Sequence, residues 1–547
     1  MGSEGEVLVS PYQEFEGSLR LRPVNTGRSQ AVPSTSYLEE TWKDEPMTPA
    51  GRVFLDPLFD LVCVVILGFK EPINTDSFRD YVEMTIMKHK RFSSRIETRK
   101  GEPWWTQVKT DVKEHVLEMR LTPEQKADED FVLNYTTDVL IHKPFDAAKP
   151  LWDIHLVDAK LGEAEACAVV RIHHALGDGT SLISLLMACS RMVGKPDVLP
   201  SFPTSSVSKV PAEEMTSKVY TAFLLSLWRL LVFTWYSLTE IGKFIATLIW
   251  VKDSETPIKG SQGCERLPKT YRFLNVELED LRSVSKAVGG TMNDVFMAMA
   301  ARGLKRYMEY RVKKDAEDEE KKAYGNGHLE AKEIEKTSED GSKAEQTSGA
   351  ARKQKSDSKL EKARVRGLAM INTRPTPGLP ELADMMAGAA SQARWGNHMG
   401  YLLFELPMKQ PEDPLDLLRE VKMIGDRKKS SLEGPFTYAS GALTMKLCGT
   451  RIASDLVYRS CVHTTLSISN VKGPAQEVMF ADNPITHIIP SVVGQPHALT
   501  LHLQSYNGRG SLVTMSTKDV IPDPEYLLEL CVEALEDMKE AVAQRKV

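Results

Sequence analysis

Apolar residues along this chain fall into two kinds of run. Continuous Val- and Ile-rich runs at 61–68 and 167–173 suit strands buried on both faces. Shorter ones at 104–108, 152–157, 366–371, 401–404, 464–468 and 498–505 also have strand length and composition. Stretches at 75–89, 181–192, 291–310, 414–426 and 524–541 repeat at helical spacing. Thr291 stands where an N-cap belongs, with Asn293 and Asp294 in the first turn. Strands and helices in this mixture predict an α/β architecture with helices packed on sheets.

Four stretches break the pattern. Residues 1–36 are polar, lack the apolar segment of a signal peptide, and read as a mobile tail. Residues 193–213 are rich in Pro, Ser and Val and read as a linker. Residues 219–250 are dense in Leu, Phe, Trp and Ile but are interrupted by Arg229, Glu240 and Lys243. Three readings stay open for them: a helix lying in a membrane interface, a buried or crossover helix pair, or a span, which the interior charges oppose. Residues 312–364 are packed with Lys, Glu, Asp, Ser and Gly, too poor in apolar side chains to offset chain entropy, and read as a disordered insertion. The predicted division is a tail at 1–36, a first lobe at 37–205, a linker at 206–270 holding the apolar segment 219–250, and a second lobe at 271–547 holding the insertion 312–364.

Composition narrows the function by exclusion. The 547 residues carry a formal charge of -6, so nothing favours a phosphate backbone and no nucleic-acid partner is expected. The seven cysteines are scattered with no CxxC pair, so neither a zinc site nor a disulfide framework is signalled, and a reducing compartment fits.

The chemistry gathers at His173-His174-Ala175-Leu176-Gly177-Asp178-Gly179, between a predicted strand and a predicted helix. Neighbouring histidines on a strand point to opposite faces, so they cannot share one task. A neutral imidazole can take a proton from an alcohol at cellular pH. Asp178 suits pairing with an arginine or bonding the backbone of its turn, and Gly177 and Gly179 permit tight backbone. No further ligands at suitable spacing support a metal. The chain has no G-x-S-x-G elbow and no Walker A loop. A base without a nucleophilic partner implies direct attack by a substrate hydroxyl.

The His-His-x-x-x-Asp-Gly element resembles the CoA-dependent acyltransferase superfamily, which includes chloramphenicol acetyltransferase, peptide-synthetase condensation domains and the plant BAHD enzymes. Further elements resemble the wax ester synthase/diacylglycerol acyltransferase family, in its plant form: Phe92-Ser93-Ser94, Pro150-Leu151-Trp152, Thr291-Met292-Asn293-Asp294-Val295, Ile468 to Pro474 (ISNVKGP) and Ser505-Tyr506-Asn507-Gly508. They occur in the family's order over about residues 50–540. The BAHD D-F-G-W-G element is absent.

The resemblance implies a chloramphenicol acetyltransferase-like fold of two α/β lobes with a tunnel between them. It implies His174 as general base and Asn293 as a group that positions it or donates to the oxyanion. His173, Asp178 and Gly179 would hold the motif. Pro150, Leu151 and Trp152 would shape the site, as would Asn470 and Gly473, which would also set the turn between the lobes. The implied partners are acyl-CoA, a substrate rather than a cofactor, a fatty alcohol or diacylglycerol, and a membrane surface. The expected location is the cytosolic face of the endoplasmic reticulum membrane, or the plasma membrane. An acyltransferase with a smaller acceptor and a non-catalytic lipid-binding protein are the alternatives.

Overall fold

The computed structural model describes residues 44–202, 219–327, 358–373, 382 and 395–545. The predicted tail at 1–36 lies outside the described residues, as do 328–357 of the predicted insertion and 206–218 of the predicted linker.

Strands in the first part of the chain are β1 (Glu45–Pro46), β2 (Val62–Phe69), β3 (Ser94–Arg99), β4 (Glu102–Gln107), β5 (Val116–Glu118), β6 (Trp152–Val157), β7 (Ala166–His173) and β8 (Arg191–Met192). Those in the second are β9 (Lys269–Glu277), β10 (Arg366–Asn372), β11 (Met399–Glu405), β12 (Leu466–Lys472), β13 (Val478–Phe480), β14 (Asn483–Val493), β15 (Leu499–Tyr506) and β16 (Arg509–Thr517). The helices that matter for the site and its surroundings are α1 (Thr75–Met84), α2 (Gly179–Cys189), α3 (Val219–Ile249), α4 (Leu278–Ala287), α5 (Met292–Gly327), α6 (Pro414–Lys429), α7 (Glu433–Cys448), α8 (Thr450–Val462) and α9 (Pro524–Gln544).

Two mixed sheets carry the fold. One has the order β5-β6-β7-β2-β14-β13-β8, the other β11-β10-β12-β15-β16-β9; a small third sheet, β1-β4-β3, stands apart. Strands β2 and β7 are covered on both faces, which is why their sequences are continuous apolar runs rather than alternating ones. Cys63, Leu67 and Ile172 pack with Phe78 and Tyr81 of α1 and Leu185 of α2. Val64, Ile66 and Val169 point the other way, onto Tyr271 and Val513 of the second sheet. The far face of the second sheet is buried under α4, α5, α6 and α9, where Leu501, Leu503 and Leu512 meet Leu304, Leu418 and Leu535. Each such side chain contributes roughly 1.5–3 kcal/mol by leaving water.

The two-lobed α/β fold agrees with expectation, but the predicted boundaries need correcting. The lobes are not the separate stretches 37–205 and 271–547. Strands β13 and β14 come from the second stretch and complete the first sheet, with Ile485↔Phe69 and Val493↔Val62 at the ends of the β14–β2 ladder. The reading of 312–364 as disordered from its start is also wrong: α5 runs on to Gly327, and the chain is helical again at 358–361. Lys, Glu and Ala are good helix formers, and a solvated helix built from them reads in composition like disorder.

Segment 219–250 is one long helix, not a pair. Among the described residues no helix is long and apolar enough to cross a membrane. Two of the three charges that interrupt α3 face inward: Glu240 is fully buried against Lys428, which also binds Glu433 at 2.8 Å, and Lys243 reaches Glu405 at 2.9 Å. Together with Phe244 and Thr247 they dock the helix on α6, α7 and α8. The outer face is left apolar, with Trp228, Trp235 and Leu238 all more than 60% exposed.

Candidate active site

Strand β7 ends at His173, and the motif loop leads straight into α2. Both histidines are buried, and they diverge as the strand geometry requires. His173 accepts the Ala175 N–H at Nδ1 (3.2 Å), so its Nε2 carries the proton it donates to Asp60 at 2.9 Å. Both nitrogens are therefore spent on holding the turn.

His174 is held differently. Its backbone N–H donates to the Leu61 carbonyl (2.8 Å), and its ring lies 4.5 Å from that of Phe54. Nδ1 lies 3.2 Å from Oδ1 of Asn397. The Asn397 amide nitrogen donates to the carbonyls of His174 (2.9 Å) and Ala175 (3.2 Å), which fixes the end of the amide that faces the ring. An oxygen there requires a proton on Nδ1 and leaves the lone pair on Nε2. Burial holds the imidazole below its ordinary value of 6.5, with the Asp178 carboxylate opposing. The ring is thus neutral at cellular pH, which is the state a general base needs.

Asp178 caps α2. One oxygen takes the Ser181 N–H and hydroxyl, both at 2.9 Å; the other takes the His398 N–H at 3.1 Å. Gly179 opens the helix directly after this cap. The carboxylate thus binds backbone N–H groups, one of the two roles open to it. The rest of the loop is clamped from residues 395–398. Trp395 donates to the Leu176 carbonyl at 2.7 Å beside Arg91 at 3.2 Å, and Gly396 accepts from Ser181. Gly396 has φ 123°, and a Cβ there would come within 3.1 Å of the Arg91 guanidinium, so glycine is required.

His174, Asp178 and Gly179 line a cavity of about 840 Å³ walled by strands of both sheets and by α2, within the size range of small-ligand sites. Val65, Leu67, Val170 and Ile172 give it an apolar wall, to which Phe78 and Phe480 contribute. Cys63 also lines it, but burial pushes that thiol up to about 12, which removes it as a nucleophile. Asn470 lines it too; it lies on β12 rather than in a turn.

Other predicted site residues sit elsewhere. Asn293 does not line the cavity, and it accepts from Asn470 at 3.3 Å; the position beside His174 belongs to Asn397. The neighbouring Asp294 is a reciprocal cap for α5, bound by the Thr291 N–H and hydroxyl at 2.8 Å. Pro150, Leu151 and Trp152 are buried and do not line the cavity, although Trp152 is the register partner of the wall residue Ile172. Trp152 stacks on His115 and donates to the Phe92 carbonyl, and the Leu151 carbonyl takes the His173 N–H at 2.9 Å. These residues act on the site through the strand end and through Phe92, which lines the cavity. Gly473 is absent from the cavity wall as well; a Cβ there would fall 2.3 Å from the Ser505 carbonyl oxygen, so its role is close backbone approach. Among the described residues no group of three His, Cys, Asp or Glu could hold a metal ion.

Comparison with known proteins gives a consistent picture. Residues 70–296 match the wax ester synthase/diacylglycerol acyltransferase catalytic domain, and residues 395–539 match the WS/DGAT C-terminal domain. Wax ester synthase/diacylglycerol acyltransferase 6 of Arabidopsis thaliana is 33% identical over 93% of this chain and 95% of its own length. Wax ester synthase/diacylglycerol acyltransferase 1 of the same plant is 35% identical over 92% and 95%. Among solved structures, the wax ester synthase/diacylglycerol acyltransferase from Marinobacter aquaeolei VT8 superposes with a TM-score of 0.52 at 16% identity, covering 91% of this chain and all of that one. The first condensation domain of the calcium-dependent antibiotic synthetase gives 0.52 at 14% identity, covering 92% and 96%. At such identities the two structures speak for the fold alone.

Proposed function

The chain belongs to the wax ester synthase/diacylglycerol acyltransferase family, and from that premise we propose that His174 is the general base of an acyl-CoA-dependent O-acyltransferase acting on a long-chain alcohol, diacylglycerol or both. The observation that carries the assignment is the Asn397 amide, which leaves the lone pair of a neutral His174 on Nε2. Nε2 takes the hydroxyl proton as the alcohol oxygen attacks the thioester carbonyl carbon. The resulting oxyanion collapses, the C–S bond breaks, and the departing CoA thiolate takes the proton back from Nε2. The products are the ester and free CoA. No covalent enzyme intermediate is needed, in keeping with the absence of an activated nucleophile beside His174 among the described residues. Purified protein supplied with palmitoyl-CoA and either hexadecanol or diacylglycerol should release free CoA. No release with any alcohol would remove this reading.

The membrane is the expected workplace, since both acceptors are lipids. The outer face of α3 supports a helix lying on the surface of the lipid, with aromatic anchors at Trp228 and Trp235. A second apolar patch, Leu443, Leu447 and Ile452, surrounds the junction of α7 and α8, which pack against α3. Free cysteines at all seven positions favour the cytosolic face of the endoplasmic reticulum membrane. Replacing Trp228, Leu230, Phe233 and Trp235 by Ser should move the protein off sedimenting vesicles. Unchanged pelleting of a folded variant would contradict the surface helix.

A further inference from the structure

The cavity that His174 lines also runs away from it. Val62 is the register partner of His173, so the motif stands at one end of the β2–β7 ladder. From there the lining follows alternate residues. Cys63 pairs with Ile172, Val65 pairs with Val170, and Leu67 stands between Ala168 and Ile488. Val64 and Ile66, between them, face the other way. Ala168 is six residues from His174, so this wall extends roughly 20 Å from the base along the strands. None of the lining side chains along it carries a charge, a hydroxyl or an amide. Val65 and Val170 lie mid-strand in a sheet covered on both faces, yet both are only half-buried. Protein interiors are close-packed, so apolar surface left open in the middle of a core suits an apolar ligand.

The far end of this wall is aromatic. On β14, Ile485 pairs with Phe69, and Asn483, two residues further on, pairs with Phe480 of β13. Phe480 therefore lies at the end of the sheet opposite His174. The Phe78 ring of α1 packs 5.3 Å from that of Phe480 and 6.0 Å from that of Phe69. Phe78 and Phe480 border the cavity, whereas Phe69 does not. Both bordering rings are almost fully buried, so the open space stops on them, close to Leu67. The hydrocarbon core of a bilayer is about 30 Å thick, so one long-chain tail reaches roughly 15 Å. The wall is long enough for one such tail and little more.

Resting on the acyl-transfer reading above, we infer that this wall receives one straight hydrocarbon chain of a substrate, its reactive end at His174, and that Leu67, Phe78 and Phe480 set the longest chain accepted. The acyl group of the thioester and the alkyl chain of the alcohol share this chemistry, and two arms of the test tell them apart. CoA release by the full-length protein is measured with octanoyl-, palmitoyl- and icosanoyl-CoA against hexadecanol, and with octanol, hexadecanol and icosanol against palmitoyl-CoA. Wild-type protein inactive throughout removes the underlying reading and this inference with it. Val170→Phe sets a ring on the wall four residues from His174, roughly 13 Å along the strand. In active protein it should lower the ratio of kcat/KM for the palmitoyl or hexadecyl chain to that for the octanoyl or octyl chain by about tenfold. Phe480→Ala removes the stop and should raise the ratio for the icosanoyl or icosyl chain to that for the palmitoyl or hexadecyl chain by about tenfold. A response in either series supports the inference and identifies the chain. Ratios unchanged within about twofold in both series overturn it, as does an equal loss at every chain length. Where Phe480→Ala does not fold, Val170→Phe, whose added atoms enter the cavity, is read by its own ratio and decides.

Discussion

The loop at 173–179 and the segment at 395–398 form one site by opposite means. The loop is locally determined: a buried strand delivers two histidines, and five residues after the first an aspartate caps the following helix. Residues 395–398 have no regular structure and take their shape from what they touch, the Leu176 carbonyl through Trp395, the His174 ring through Asn397 and Asp178 through the His398 N–H. The loop supplies the reacting group and the distant segment selects its tautomer. A catalytic motif read along the chain can therefore be complete in sequence and still lack the group that makes it work.

Substitutions break this comparison at different strengths. The largest effect is expected at His174. His174→Ala removes the base and should lower CoA release by about 10²–10⁴-fold with little change in acyl-CoA binding, since the base acts mainly in the transition state. His173→Ala should cost stability and a smaller share of the rate, because His173 ties Asp60 to the turn. Near-normal turnover in the His174 variant, measured on folded protein, would reverse the assignment. Asn397→Ala should come next, at roughly 10²-fold in rate, because the ring loses the bond that fixes its tautomer and aim. If Asn397→Ala keeps full activity, the distant segment has no part in catalysis.

Smaller effects separate scaffold from chemistry. Gly396→Ala forces a Cβ into left-handed backbone beside Arg91 and should cost about 1–3 kcal/mol, seen as a lower urea midpoint. Asp178→Ala removes the α2 cap and should cost about 1–2 kcal/mol by the same measurement. A stability loss at Gly396 with unchanged turnover would show that the segment can shift without moving Asn397.

What was legible in the sequence follows the same division. Strands β2, β6 and β7, the helix after the motif and the cap at Thr291 depend on neighbours in sequence, and their patterns were readable to within a few residues. Asn397 was not, for it lies 223 residues from His174 in a short polar segment with no periodicity. The membership of β14 in the first sheet was hidden for a related reason: its ladder partner β2 is some 420 residues away, and an apolar strand does not say which sheet it joins. Trp152 reads as shaping the site because a large aromatic beside a catalytic motif resembles a cavity wall, whereas it is fully buried in the core between Phe92 and His115. The inward turn of Glu240 and Lys243 depends on Lys428 and Glu405, which no local pattern ties to α3.

The pH dependence of kcat/KM for CoA release tests the central claim most directly. A neutral His174 acting through Nε2 must lose activity as pH falls and the imidazole is protonated. Burial lowers its pKa, so the acid limb should have its midpoint below 6.5. Asn397→Asp sets a carboxylate beside the ring, favours the imidazolium, and should move that limb to higher pH. In His174→Ala the residual rate should show no such limb. A midpoint at or above 6.5 in the wild type, or the same acid limb surviving in His174→Ala, would contradict the account.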